Sequence, residues 1–222
     1  MKRAVLFDLD GVLVDSRSAQ LATLAGFATS ALGRRVTVAD LPAHAASTPR
    51  QRVMADLGLQ GEINEDRWDA ATATATLSCQ VFQYVRETLT ALRAFGVATG
   101  VITLRSRRRL PWLLPPDILA LVDTVVCYED ATPKPAPDGL LLALDQLGVA
   151  PSEAVFVGDL ETDVHAARAA GVIAVGAGWG FAGPEALAQA GADVVLPHSL
   201  DITAALLLLV GIGQRSEEAK RS

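Results

Sequence analysis

The chain reads as an α/β protein, a doubly wound parallel sheet with an inserted helical block. Three observations carry this. Five short apolar runs punctuate the sequence, helix-period stretches that stop at glycine separate most of them, and residues 16–82 contain no convincing strand run. Strands buried on both faces are apolar almost without interruption, whereas one-sided strands alternate. Alternating strands and helices are the sequence form of a sheet wrapped on both sides.

The elements follow in order. Residues 4–7 form the first apolar run. Residues 18–32 then place Leu21, Leu24, Ala28 and Leu32 on one helical face and stop at Gly33. Residues 50–57 and 64–77 are helical in pattern too, the second with Asn64 as its N-cap. A helical block after the first strand of a Rossmann-like core is read as a cap subdomain. The expected boundaries are residues 1–15 and 83–222 for the core and 16–82 for the cap. Residues 87–95 carry Leu89, Leu92 and Phe95 on one stripe before Gly96. The runs 97–102 and 124–127 are the next two strands. Residues 137–147 open with Pro and Asp, carry Leu140, Leu141, Leu144 and Leu147, and stop at Gly148. The run 154–157, the Ala-rich helix 162–170 before Gly171, and the run 172–175 complete the core. Residues 214–222 read as a frayed polar tail.

Bulk properties narrow the function classes. Half of the 222 residues are apolar and a fifth are charged, an ordinary globular balance. The 25 acidic and 19 basic residues leave a net charge of -6, which argues against nucleic acid or an anionic membrane as the main partner. Residues 206–210 are apolar but far too short to cross a bilayer, which takes roughly 20 residues. No secretory leader is visible before the first strand, so a cytoplasmic location is expected. Cys79 and Cys127 lack metal-ligand spacing and read as buried reduced thiols.

Four segments at strand ends carry the chemistry. Asp8 and Asp10 end the first strand, Thr103 ends the second, Lys134 follows the third within Pro133-Lys134-Pro135, and Asp159 and Asp163 follow the fourth. In a parallel sheet these ends share one edge, where open α/β folds bind their ligands. Adjacent carboxylates in different backbone settings suit a nucleophile and a proton shuttle. Four carboxylates packed together repel unless a cation holds them, and an all-oxygen ligand set points to Mg²⁺. A hydroxyl, an ammonium and loop N–H groups then suit a tetrahedral dianion. With its charge neutralised, an anionic aspartate can approach phosphorus.

These segments resemble the four motifs of the haloacid dehalogenase-like superfamily. The stretch Phe7-Asp8-Leu9-Asp10-Gly11-Val12-Leu13-Val14-Asp15-Ser16, the helical insert, Lys134-Pro135-Ala136-Pro137-Asp138 and the run from Gly158 to Asp163 are similar to the phosphoglycolate-phosphatase type with a small helical cap. The resemblance spans nearly the whole chain, with the motifs in the family's order. It implies a phosphatase acting on a small phosphorylated metabolite. Asp8 would attack phosphorus and form an aspartyl-phosphate. Asp10 would protonate the leaving oxygen, then activate water. Thr103, the Leu104 backbone and Lys134 would hold the phosphoryl group, with Lys134 also orienting Asp8. Mg²⁺ would be bound by Asp8, Asp159 and the Asp10 backbone carbonyl. Asp163 would act through water or by bonding to Lys134.

The resemblance also sets alternatives. Asp10 favours phosphate esters over halides, because a halide needs no acid. The superfamily's sugar phosphomutases share the Asp-x-Asp pair but usually carry Glu-Asp-Ser in the fourth motif, where this chain has Gly158-Asp159-Leu160. A non-catalytic phosphate sensor would be free to lose Asp10. A phospho-acceptor receiver domain uses similar groups, but without the helical insert and with its acceptor on a middle strand.

The chain departs from its relatives twice. Many carry a small or amide residue after the threonine and then a basic one. Here Leu104 is followed by Arg105-Ser106-Arg107-Arg108-Arg109, a cluster read as a solvated turn. Pro111 and Pro115-Pro116 predict a shortened helix beyond it. In the cap, Ala45-Ala46-Ser47-Thr48-Pro49-Arg50 stands where relatives often have a Gly-rich substrate loop. Arg50 and Arg52 are candidates to reach a substrate carboxylate, with a solvated helix face as the competing reading. His44 is a weaker candidate for substrate contact. Trp68, Trp112 and Trp179 read as packing residues and Asp15 as a helix-start residue. The chain is expected to act as a monomer or a homodimer.

Overall fold

The computed structural model describes residues 2–48, 50–59 and 65–211. In chain order its strands are β1 (Ala4–Phe7), β2 (Val14–Asp15), β3 (Gln80–Val81), β4 (Ala98–Ile102), β5 (Thr124–Val126), β6 (Ala154–Gly158), β7 (Ile173–Ala177) and β8 (Val194–Leu196). The helices are α1 (Arg17–Leu32), α2 (Arg50–Asp56), α3 (Glu65–Thr76), α4 (Tyr84–Ala94), α5 (Leu110–Leu113), α6 (Pro116–Leu119), α7 (Asp138–Leu147), α8 (Glu161–Ala170), α9 (Pro184–Gln189) and α10 (Ile202–Leu209). Short 3₁₀ turns connect some of them.

Among the described residues, those up to Val14 and from Val81 onward form one compact unit, and Asp15–Gln80 form the other. The first unit is built on a six-stranded sheet of order β5-β4-β1-β6-β7-β8. Every pairing in it is parallel. The five apolar runs supply β1, β4, β5, β6 and β7. β8 is a sixth strand, formed by the three-residue apolar run Val194-Val195-Leu196 that the five-run reading passes over. It has three residues, all half-buried at the sheet edge.

The two-residue period of a strand explains how both faces are covered. Leu6, Ile102, Val126 and Phe156 pack on one face with Leu140 and Leu144 of α7, Val164 and Ala167 of α8, and Leu187 of α9. Val5, Phe7, Val101, Val155 and Val157 alternate with them and are equally sealed from solvent. α4 packs against β4 and α10. α7 and α8 end at Gly148 and Gly171, both left-handed. The proline-rich stretch forms only the single turns α5 and α6, as Pro111 and Pro115-Pro116 require.

In the second unit α1 packs against α2 and α3. Its core holds Leu24, Ala28, Val36, Ala45, Val53, Met54 and Trp68, with Leu21 and Leu32 partly buried around it. Phe27 meets Trp68 edge-on at 5.4 Å between ring centroids. Thr72 and Thr76 of α3 turn their hydroxyls onto the carbonyls of Trp68 and Thr72, so a helix face rich in threonine can be buried. The proposed Asn64 cap and the polar tail 214–222 lie outside the described residues.

Among the described residues, no helix is long and apolar enough to cross a membrane. Cys127 is buried, and burial pushes its thiol up to about 11. Cys79 is only partly buried, because its turn after α3 is open to solvent on one side.

Candidate active site

The parallel pairing of β1, β4, β5 and β6 brings their C-terminal ends to one rim. Asp8 directly follows β1, and its N–H donates to the Val157 carbonyl at 2.8 Å, so the ladder with β6 continues through it. Thr103 extends β4 in the same way, its N–H donating to the Val126 carbonyl at 2.9 Å. Asp159 follows β6, and Asp163 lies in the first turn of α8. Lys134 arrives from the loop after β5.

Lys134 is the centre of this arrangement. Its Nζ lies 2.6 Å from Asp8 Oδ1 and 2.5 Å from Asp163 Oδ1. The ammonium also sits 5.5 Å from the centre of the Phe156 ring. Burial alone would push its pKa down, but the two carboxylates outweigh burial and hold it above the ordinary ammonium range. Asp163 Oδ2 accepts the N–H groups of Asp159 at 3.0 Å and Leu160 at 2.9 Å. Asp163 therefore pins the loop that carries Asp159 while facing Lys134 with its other oxygen.

Asp159 is fully buried. Its Oδ2 accepts the Phe181 N–H at 2.8 Å, and its Oδ1 has no hydrogen-bond partner among the described residues. Carboxylate oxygens of Asp8, Asp159 and Asp163 lie within 4.8 Å of one another. Burial, reinforced by the charges of Asp163 and Asp10 and opposed by Lys134, raises Asp8 to about 7. Burial and the charges of Asp8 and Asp163 raise Asp159 well above the carboxylate range, against the Phe181 N–H and Lys134. Three buried carboxylates facing one ammonium leave an excess of negative charge. A buried oxygen without a donor is what a hard cation would satisfy.

Glycines make the cluster possible. A Cβ on Gly11 would lie 2.0 Å from Asp159 Oδ2, and Gly11 also takes φ +78°. A Cβ on Gly180 would lie 2.3 Å from the Asp159 Cβ, and one on Gly158 would lie 2.2 Å from the Asp163 Cβ.

Asp10 is turned elsewhere. Its carboxylate lies outside the group of three and accepts two bonds from Arg105, Nε to Oδ2 and Nη2 to Oδ1, each at 2.8 Å. Arg105 is thus no part of a solvated turn, which corrects the reading of the basic cluster at that residue. Its long side chain reaches back across the rim and is 15% exposed. Arg107 does sit on the surface, 57% exposed, paired with Asp130. A run of arginines looks uniformly solvated in sequence, but its position two residues after Thr103 singles Arg105 out. Phe181 was also missed, since any residue can supply a backbone N–H.

The remaining candidates make other contacts. Leu104 is half-exposed and shares a cleft with Thr103, Tyr128, Thr132 and Lys134. Arg50 belongs to α2 of the helical unit, where its guanidinium lies 4.8 Å from the centre of the Trp68 ring. Arg52 and His44 both pair with Asp56, at 3.1 Å and 2.9 Å.

Comparison with known proteins identifies relatives of the chain. The family model of haloacid dehalogenase-like hydrolases matches residues 5–177. A phosphoglycolate phosphatase of Xanthomonas campestris pv. campestris (strain 8004) is 34% identical over 194 residues, which cover 81% of this chain and 84% of its own. A hydrolase of the same superfamily from Deinococcus radiodurans, solved with bound phosphate and sodium, is 26% identical with a TM-score of 0.70, covering 94% of this chain and 96% of its own. A proposed β-phosphoglucomutase from Thermotoga maritima is 25% identical with a TM-score of 0.70, covering 93% and 98%.

Proposed function

Because the chain belongs to the haloacid dehalogenase-like hydrolases, we propose that it is a Mg²⁺-dependent phosphatase of a small phosphorylated metabolite. The observation that carries this reading is Asp8: a buried carboxylate at the end of β1, held by Lys134 at 2.6 Å, beside an Asp159 oxygen that lacks a donor. Phosphoglycolate is the first substrate to test, since the Xanthomonas relative is a phosphatase of that ester.

In this reading Asp8 attacks phosphorus. A bond forms between its carboxylate oxygen and phosphorus as the ester P–O bond breaks, and Asp10 gives a proton to the departing oxygen. Asp10 then takes a proton from water as that water attacks the aspartyl-phosphate, releasing inorganic phosphate and restoring Asp8. Thr103, the Leu104 N–H and Lys134 hold the phosphoryl oxygens. Lys134 also orients Asp8, and Asp163 acts by holding Lys134 and the Asp159 loop. Asp8, Asp159 and the Asp10 backbone carbonyl would hold Mg²⁺, whose charge would neutralise the phosphoryl oxygens. Arg50 is a candidate for the rest of the substrate.

The test is hydrolysis of p-nitrophenyl phosphate and of a panel of phosphorylated metabolites, with Mg²⁺ and with EDTA. Turnover is expected only with Mg²⁺. The Thermotoga neighbour keeps a mutase in view, while Gly158-Asp159-Leu160 disfavours it. Phosphoryl return to a sugar phosphate instead of release to water would establish the mutase. Binding of phosphate or beryllofluoride without turnover of any ester would establish a sensor.

A further inference from the structure

Arg105 touches two rim groups at once. Its backbone N–H donates to Thr103 Oγ1 at 3.0 Å, and its side chain donates two hydrogen bonds to the Asp10 carboxylate. A guanidinium with two parallel N–H groups fixes both the position and the plane of a carboxylate, whereas a single bond leaves it free to rotate. Asp10 and Arg105 are 16% and 15% exposed, so water competes little for either partner. On the Thr103 side, accepting the Arg105 N–H uses a lone pair and leaves the hydroxyl proton to be donated.

We propose that Arg105 is a positioning residue of the active site, setting the Asp10 carboxylate by its side chain and the Thr103 hydroxyl by its backbone. This rests on the phosphatase reading. A proton donor works only within about 2.6–3.2 Å of the atom that receives the proton. When Asp10 carries the proton, one bond of the fork opens at the protonated oxygen while the other oxygen still accepts from Arg105. Without Arg105 that alignment is lost, and the cost falls on esters whose leaving oxygen needs the proton.

The experiment compares kcat/KM of wild type, Arg105→Lys and Arg105→Gln on 2-phosphoglycolate, an alkyl ester, and on p-nitrophenyl phosphate, whose aryl oxide leaves unprotonated. Arg105→Gln should lower the alkyl rate by about 100-fold or more and the aryl rate by less than about 10-fold. Arg105→Lys should recover little, because an ammonium cannot offer the fork. In an Asp10→Asn background, Arg105→Gln should add less than about a 3-fold further loss. Thermal melts establish which variants are folded. If Arg105→Gln is not, Arg105→Lys carries the comparison. Equal losses on both esters, or additive losses with Asp10→Asn, would overturn the inference while leaving the phosphatase reading intact. A wild type that hydrolyses no ester would overturn both.

Discussion

Asp163 faces Lys134 across 2.5 Å, and both are almost completely buried. One ammonium thus sits among three buried carboxylates. Removing one partner of a buried ion pair leaves its charge uncompensated, at a cost of about 3–5 kcal/mol. Lys134→Met should destabilise the metal-free protein by that order in urea unfolding near neutral pH. The loss should shrink in mildly acidic buffer, where the carboxyls can neutralise themselves. A loss that does not change with pH would mean that Lys134 contributes packing alone.

The raised carboxyls predict a pH dependence of stability. Asp8 moves from its ordinary 3.8 to about 7, and Asp159 moves in the same direction. Such groups bind more protons folded than unfolded. Their contribution is complete below the unfolded value and is lost as pH rises through the folded one. The metal-free protein should therefore melt at falling temperature between about pH 5 and pH 8, and Mg²⁺ should raise the Tm more at the upper end. A metal-free Tm that stays flat or climbs across this window would count against the arrangement.

Asp8→Asn should reduce phosphatase turnover by at least about 10³-fold. It also removes one of the crowded carboxylates, so the metal-free Tm should hold or rise. Steady-state rates and a melt on the same sample check both halves. Turnover near the wild-type rate would remove Asp8 as the nucleophile.

Gly180→Ala tests the packing of the metal candidate without touching an acid. The added methyl would sit 2.3 Å from the Asp159 Cβ, so Asp159 or its loop must move. Overpacking of this kind costs about 1–3 kcal/mol. The Mg²⁺ concentration that gives half of the thermal shift should rise as well. An unchanged Mg²⁺ midpoint would show that Asp159 is not a ligand.

Much of this was legible in the sequence because it is local. An apolar run ending in Asp8, a helix stopping at Gly148, and a proline pair that halts a turn each declare themselves within a few residues. β8 did not stand out, because its apolar run, Val194-Val195-Leu196, is only three residues long. The Arg105–Asp10 fork joins residues 95 apart, and periodicity carries no information on such a pairing. Arg105 was also camouflaged by its neighbours, since the same side chain in the same run can point to water or back across the sheet. The unpartnered oxygen of Asp159 depends on Phe181, Gly11 and Gly180, and none of the three announces itself by chemistry.

The two backbone donors that Asp163 satisfies belong to residues immediately ahead of α8. The helix therefore begins on the same carboxylate that shapes the acidic cluster. Fraying of that first turn would loosen Asp159 and Lys134 together, so a substitution on the outer surface of α8 can blunt the chemistry without reaching it. Evolution of this helix is thus constrained by chemistry at its start and by core packing at Ala166, Ala167 and Ala170 beyond it.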